Sequence, residues 1–108
     1  MNTFDERKKA FEAKFLQDED LKFKLRAKRN KRIAEWAAEL IGKNNDENYI
    51  REVRESDLKK PGDDDIIDKL LKDFERNSVN ISREDIVKKI EECEQQGIDE
   101  FMKEAEGN

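Results

Sequence analysis

The chemistry this chain can do starts with three phenylalanines. Phe4, Phe11 and Phe15 lie seven and four residues apart, so on a 3.6-residue period they fall on one helical face. Charged residues fill most of the intervening positions, and Arg7, Lys8, Lys9 and Lys14 supply the cations. A stripe of this kind inserts aromatic rings into an apolar slot while its cations meet acidic groups at the rim. Only Ala10, Ala13 and Leu16 add apolar surface to the segment. That is lean for a core helix and adequate for a helix laid in a partner's groove.

Catalytic chemistry finds little to use. The chain contains no histidine, which removes the commonest general base and metal ligand. Its one cysteine, Cys93, cannot form an internal disulfide, implies a reducing compartment, and stands in a helical apolar register that suits a small core residue. Asp63, Asp64 and Asp65 lack the spaced acids, the glycine and the distal glutamate of a calcium loop, and suit the start of a helix instead. The glycines at 42, 62, 97 and 107 are scattered, so no phosphate-cradling loop exists. The expectation is a protein that is not an enzyme and takes no metal or cofactor.

A second charged feature lies between Lys22 and Arg32, where seven of eleven residues are Lys or Arg and none is acidic. Such a run can neutralise phosphates, and a helical nucleic-acid-binding or scaffold protein is the alternative reading. The flanks argue against nucleic acid, since Asp18, Glu19 and Asp20 precede the run and Glu35 and Glu39 follow it. A solvated or partner-facing patch is the preferred interpretation.

The elements that position these residues are helices. The chain has 108 residues, 47% charged and 34% hydrophobic, which fits one domain with a thin core. Residues 1–42 carry a net charge of +3 and residues 43–108 a net −8, so a mildly basic arm joins an acidic body. Thr3 and Glu6 form a capping box, no Gly or Pro follows until Gly42, and one long first helix is expected from Phe4 to Ile41. A short helix starts near Asp46 or Glu47, with Tyr49, Ile50, Val53 and Leu58 on its buried side. Pro61-Gly62 breaks the chain. Asp63–Asp65 open a third helix bearing Ile66, Ile67, Leu70, Leu71 and Phe74. Asn77 to Asn80 turn the chain. Ser82 and Asp85, with Ile81 and Ile86 as a hydrophobic staple, start the last helix. Gly97 marks a kink or early end of it.

The expected fold is all-α: a small four-helix bundle over residues 20–108, with residues 1–19 as a mobile arm that is helical on binding. The expected core takes Leu25, Ile33, Trp36, Ala37, Leu40 and Ile41 from the first helix. Tyr49, Val53, Ile66, Leu70, Phe74, Ile86 and Ile90 complete it. No apolar run reaches the ~20 residues needed to cross a bilayer. The N-terminus lacks the apolar segment of a secretory signal, so a cytoplasmic monomer without direct membrane insertion is expected.

The order of these motifs resembles the zeta subunit family of the alpha-proteobacterial F-type ATP synthase. Thr3-Phe4-Asp5-Glu6-Arg7 and Ala10-Phe11-Glu12-Ala13-Lys14-Phe15 look like that family's N-terminal signature. Asp18-Glu19, Leu21, Phe23-Lys24, Arg29-Asn30-Lys31, Trp36-Ala37-Ala38-Glu39 and Gly42 continue it, as do Tyr49, Val53, Pro61-Gly62-Asp63 and Ile81-Ser82. One departure precedes Trp36, where the family has an apolar stretch and this chain has Arg32 and Glu35. The resemblance implies a four-helix bundle with a mobile inhibitory arm. It implies that the arm enters the catalytic interface between an α and a β subunit of F1, reaches the γ shaft, and blocks ATP hydrolysis and reverse rotation. The enzyme sits at the cytoplasmic face of the membrane. Carried over, the contact residues are Phe4, Arg7, Phe11, Lys14 and Phe15.

Overall fold

The computed structural model describes residues 4–106. Its five helices are α1 (Phe4–Gln17), α2 (Glu19–Leu40), α3 (Glu47–Ser56), α4 (Asp64–Arg76) and α5 (Arg83–Glu106), and no strand occurs among the described residues. The expected single first helix is two. Asp18 takes extended angles, φ −105° and ψ 101°, and its carboxylate accepts the Leu21 N–H at 3.0 Å. It is an N-cap, with Glu19 and Asp20 adding negative charge to the first turn of α2, where the helix dipole favours it. The Thr3 end of the proposed capping box lies outside the described residues.

The remaining ends follow local rules. α2 stops in a Schellman arrangement: Gly42 at φ +77° donates to the Glu39 carbonyl, and Lys43 donates to Ala38 at 2.7 Å. α4 ends the same way, with Val79 donating to Phe74 at 2.8 Å, but the left-handed position is Ser78, at φ +58°. Asp46 caps α3 through the Asn48 and Tyr49 amides. The reciprocal Ser82–Asp85 capping box starts α5, both bonds being 3.1 Å, and the bond from the Ser82 backbone N–H is the first cause holding the Asp85 carboxyl below its ordinary range.

Helices α2 and α5 form a long antiparallel pair, and their two ends are closed by different partners. At one end Ile33, Ala34, Ala37 and Ala38 of α2 meet Ile86, Ile90 and Cys93 of α5, and Tyr49, Val53, Ile66, Leu70 and Phe74 of α3 and α4 complete the main core. Trp36 is half-buried there, edge-on to Phe74 at 5.5 Å. Leu40, expected inside, is exposed: it lies on the outer side of the last turn of α2, while Ala37, Ala38 and Ile41 turn to the core. Leu58, expected on the buried side of α3, lies past that helix's end and is 75% exposed. Val87 likewise faces solvent.

At the other end Leu21 and Leu25 of α2 pack on Ile98 and Met102 of α5, with Phe11 and Phe101 against them. Gly97 does not end α5. It is buried beside Leu25, and a Cβ placed on it would stand 3.7 Å from Leu25 Cδ2.

Candidate partner-binding site

The aromatic arm is α1, and the junction at Asp18 sets its direction. The capped start of α2 lets α1 depart from the α2 axis and lie back over the second cluster. Phe11 is half-buried there, its ring centroid 5.2 Å from that of Phe101 with planes inclined at 42°. Phe11 therefore has a partner inside the chain, which sequence periodicity did not identify. The signal was Phe101 itself, whose heptad position on α5 matches Ile98 and Met102. Arg7 and Lys14 are exposed on α1. The Phe4 and Phe15 side chains lie outside the described residues.

The basic run divides by residue type. Its arginines turn toward acids of the same chain. Arg26 makes a two-pronged pair with Asp57, at 2.6 and 2.7 Å, and also donates to the Gly62 carbonyl and to Asp63. Arg29, 4% exposed, donates to Asp63 at 2.9 Å and to Asn30. Asn30 in turn donates to Asp57 at 2.7 Å. The hydrogen bond that Arg26 donates to Asp57, opposed by burial, holds the guanidinium above its ordinary pKa. This network fastens the α3–α4 connection onto the middle of α2. Paired charges of this kind contribute orientation more than net stability, because desolvation offsets much of the attraction.

Arg32 reaches across to Glu100 and Gln96 on α5, which gives the charged departure before Trp36 a structural role. The hydrogen bond from Arg32 lowers the Glu100 carboxyl pKa. Lys24, Lys28 and Lys31 of the run remain exposed.

Between α2, α3 and the α3–α4 connection runs an open groove of about 1340 Å³. Phe23 and Leu58 both line it and are the most exposed large hydrophobic side chains described, at 70% and 75%.

The residues considered for covalent or metal chemistry have structural places. Cys93 is buried, and burial raises its thiol pKa. Asp63 is claimed by Arg26 and Arg29, and among the described residues no group of three or more His, Cys, Asp or Glu is placed to hold a metal ion. Tyr49 donates to Asp73 at 2.8 Å, and its pKa is raised, first by burial and then by that bond. Among the described residues no helix is long and apolar enough to cross a membrane.

Comparison with curated proteins returns no match. A family model, that of the ATPase inhibitor subunit zeta, matches residues 1–100. The match takes in α1, the Asp18 junction, the arginine network and most of α5. The chain belongs to the ATPase inhibitor subunit zeta family.

Proposed function

We propose that this chain inhibits ATP hydrolysis by the F-type ATP synthase through α1, which leaves the body and enters the catalytic α/β interface against the γ shaft. Phe4, Phe11 and Phe15 are the anchors, and Arg7 and Lys14 meet acidic groups beside them. Residues 1–19 act as the arm and residues 20–108 as the body that delivers it. The observation that carries this reading is the attachment of α1. A capped junction at Asp18 divides it from α2, and among its described side chains Phe11 packs on the second cluster.

Magnitudes support release. Half-burying one Phe contributes about 1 kcal/mol, and an aromatic pair adds about 0.5–1.5 kcal/mol. The Phe11 contact, at about 2 kcal/mol, is small beside what a partner that binds α1 can offer. Burying three Phe rings on that partner yields roughly 5–9 kcal/mol gross. Ordering a 14-residue helix that is marginal alone in water offsets much of this. The arm therefore needs the body, which raises its effective concentration at the cleft.

The test compares the intact chain with a peptide of residues 1–19 in an ATP hydrolysis assay on synthase lacking this subunit. The peptide is expected to inhibit far more weakly; equal potency would remove the role given to the body.

A further inference from the structure

The groove beside the arginine network has no role in the reading above. We infer that it is a second docking surface, which takes an acidic segment bearing apolar side chains on the same ATPase. The inference rests on the proposed function.

Its apolar content comes first. Phe23 and Leu58 are contributed by different elements, yet both open onto one groove at 70% and 75% exposure. Exposed rings and leucines gathered in one concavity mark an interaction site more often than scattered ones do.

Charge identifies the occupant. Arg26 is neutralised by Asp57, and Lys22 pairs with Glu19. The cations left along the groove are Lys31, Arg51, Arg54, Lys59 and Lys60, against the carboxylates Glu35, Glu47 and Glu55. The groove is thus locally positive on a chain whose net charge is −5. An acidic partner segment is attracted there and repelled by most of the remaining surface. Apolar side chains and three carboxylates at the lining disfavour a phosphate backbone.

Position and rigidity agree. One end of the groove is made by Glu19, Lys22 and Phe23, in the first turns of α2 just after the Asp18 junction. A partner holding the groove therefore stands where α1 departs. The Arg26–Asp57 and Asn30–Asp57 bonds clamp the two walls together, so the surface is preorganised.

The experiment uses full-length protein and two variants, Phe23→Ala with Leu58→Ala, and Lys59→Glu with Lys60→Glu. All four side chains are exposed, and unchanged thermal unfolding verifies the fold. Binding to ATP synthase lacking the subunit and inhibition of its hydrolysis are measured separately, at low and high salt. The apolar variant is expected to raise both the Kd and the half-inhibitory concentration about tenfold while keeping full inhibition at saturation. The charge variant is expected to weaken binding and flatten its salt dependence. If wild type inhibits and both variants match it, the groove inference falls and the arm reading stands. If wild type binds without inhibiting and the variants bind weakly, the groove stands and the arm reading falls. Absence of wild-type binding removes both. A wild-type dimer that the apolar variant dissolves, or nucleic-acid binding that the charge variant abolishes, would overturn the assignment in favour of those occupants.

Discussion

Phe11 and Phe101 face each other with ring centroids 5.2 Å apart, so the arm rests on the C-terminal helix through the same ring that is proposed to anchor it elsewhere. One ring cannot occupy both places. Two substitutions that break this contact are therefore expected to act in opposite directions. Phe101→Ala removes the resting place and should lower the half-inhibitory concentration, by up to about thirtyfold for a contact of about 2 kcal/mol. Phe11→Ala with Phe15→Ala removes the anchors and should abolish inhibition, with the thermal unfolding of the main core retained. Hydrogen exchange gives an independent reading: α1 amides should exchange faster in Phe101→Ala while α3 and α4 stay protected.

Asp57 is the hub of the network joining α2 to the α3–α4 connection. It accepts from Arg26 and Asn30, and its side chain is 2% exposed. Asp57→Ala strands Arg26 and Asn30 against a partly closed surface and should cost roughly 3–5 kcal/mol in chemical denaturation. A loss below 1 kcal/mol would mean that Asp63 and water compensate.

Two backbone positions carry the wrong residue for stability. Ser78 holds a left-handed conformation at φ +58°, and Gly97 sits within α5 with room for a methyl group. Ser78→Gly and Gly97→Ala should each stabilise the fold, by about 0.5–1 kcal/mol. A denaturation midpoint that moves downward for Gly97→Ala would show that α5 and α2 cannot give at Leu25.

With no histidine in the chain, no unperturbed side chain changes charge between about pH 5 and 8. Among described groups the downward carboxylate shifts at Asp85 and Glu100 move titration away from neutrality. The raised pKa values of Arg26, Lys69 and Tyr49 also leave their charge states fixed there. The sign for Asp85 is that of a lowered carboxylate. Its capping contribution is present above the unfolded value and is lost as pH falls through the lower folded value. Inhibition should thus stay nearly constant from about pH 6 to pH 8, measured against the enzyme's own pH profile. A steep response beyond that profile would contradict it.

The parts of the fold legible in the sequence are those written within a few residues. The Ser82–Asp85 box, the Gly42 stop and the Asp46 start are three- and four-residue signals, and they fell where expected. The break at Asp18 has the same kind of signal, but it lies in a charge-rich stretch whose helical period continues on both sides, so the cap was hidden. What joins distant segments was not legible. Arg26 and Asp57 are 31 residues apart, and nothing in the run of cations tells which ones turn inward. The same holds for Phe11 and Phe101, and for Leu58, whose exposure depends on α3 ending at Ser56. The candidate anchors were legible as a stripe; their resting contact was a matter of tertiary packing.

The central claim is that α1 is a detachable inhibitory helix. Its most direct measurement is the ATP hydrolysis rate of F-type ATP synthase lacking this subunit, titrated with the intact protein and with the Phe11→Ala, Phe15→Ala variant. The account predicts that hydrolysis falls with saturating dependence on the intact protein and is unchanged by the variant. Hydrolysis that stays constant with the intact protein, or falls equally with the variant, would contradict it.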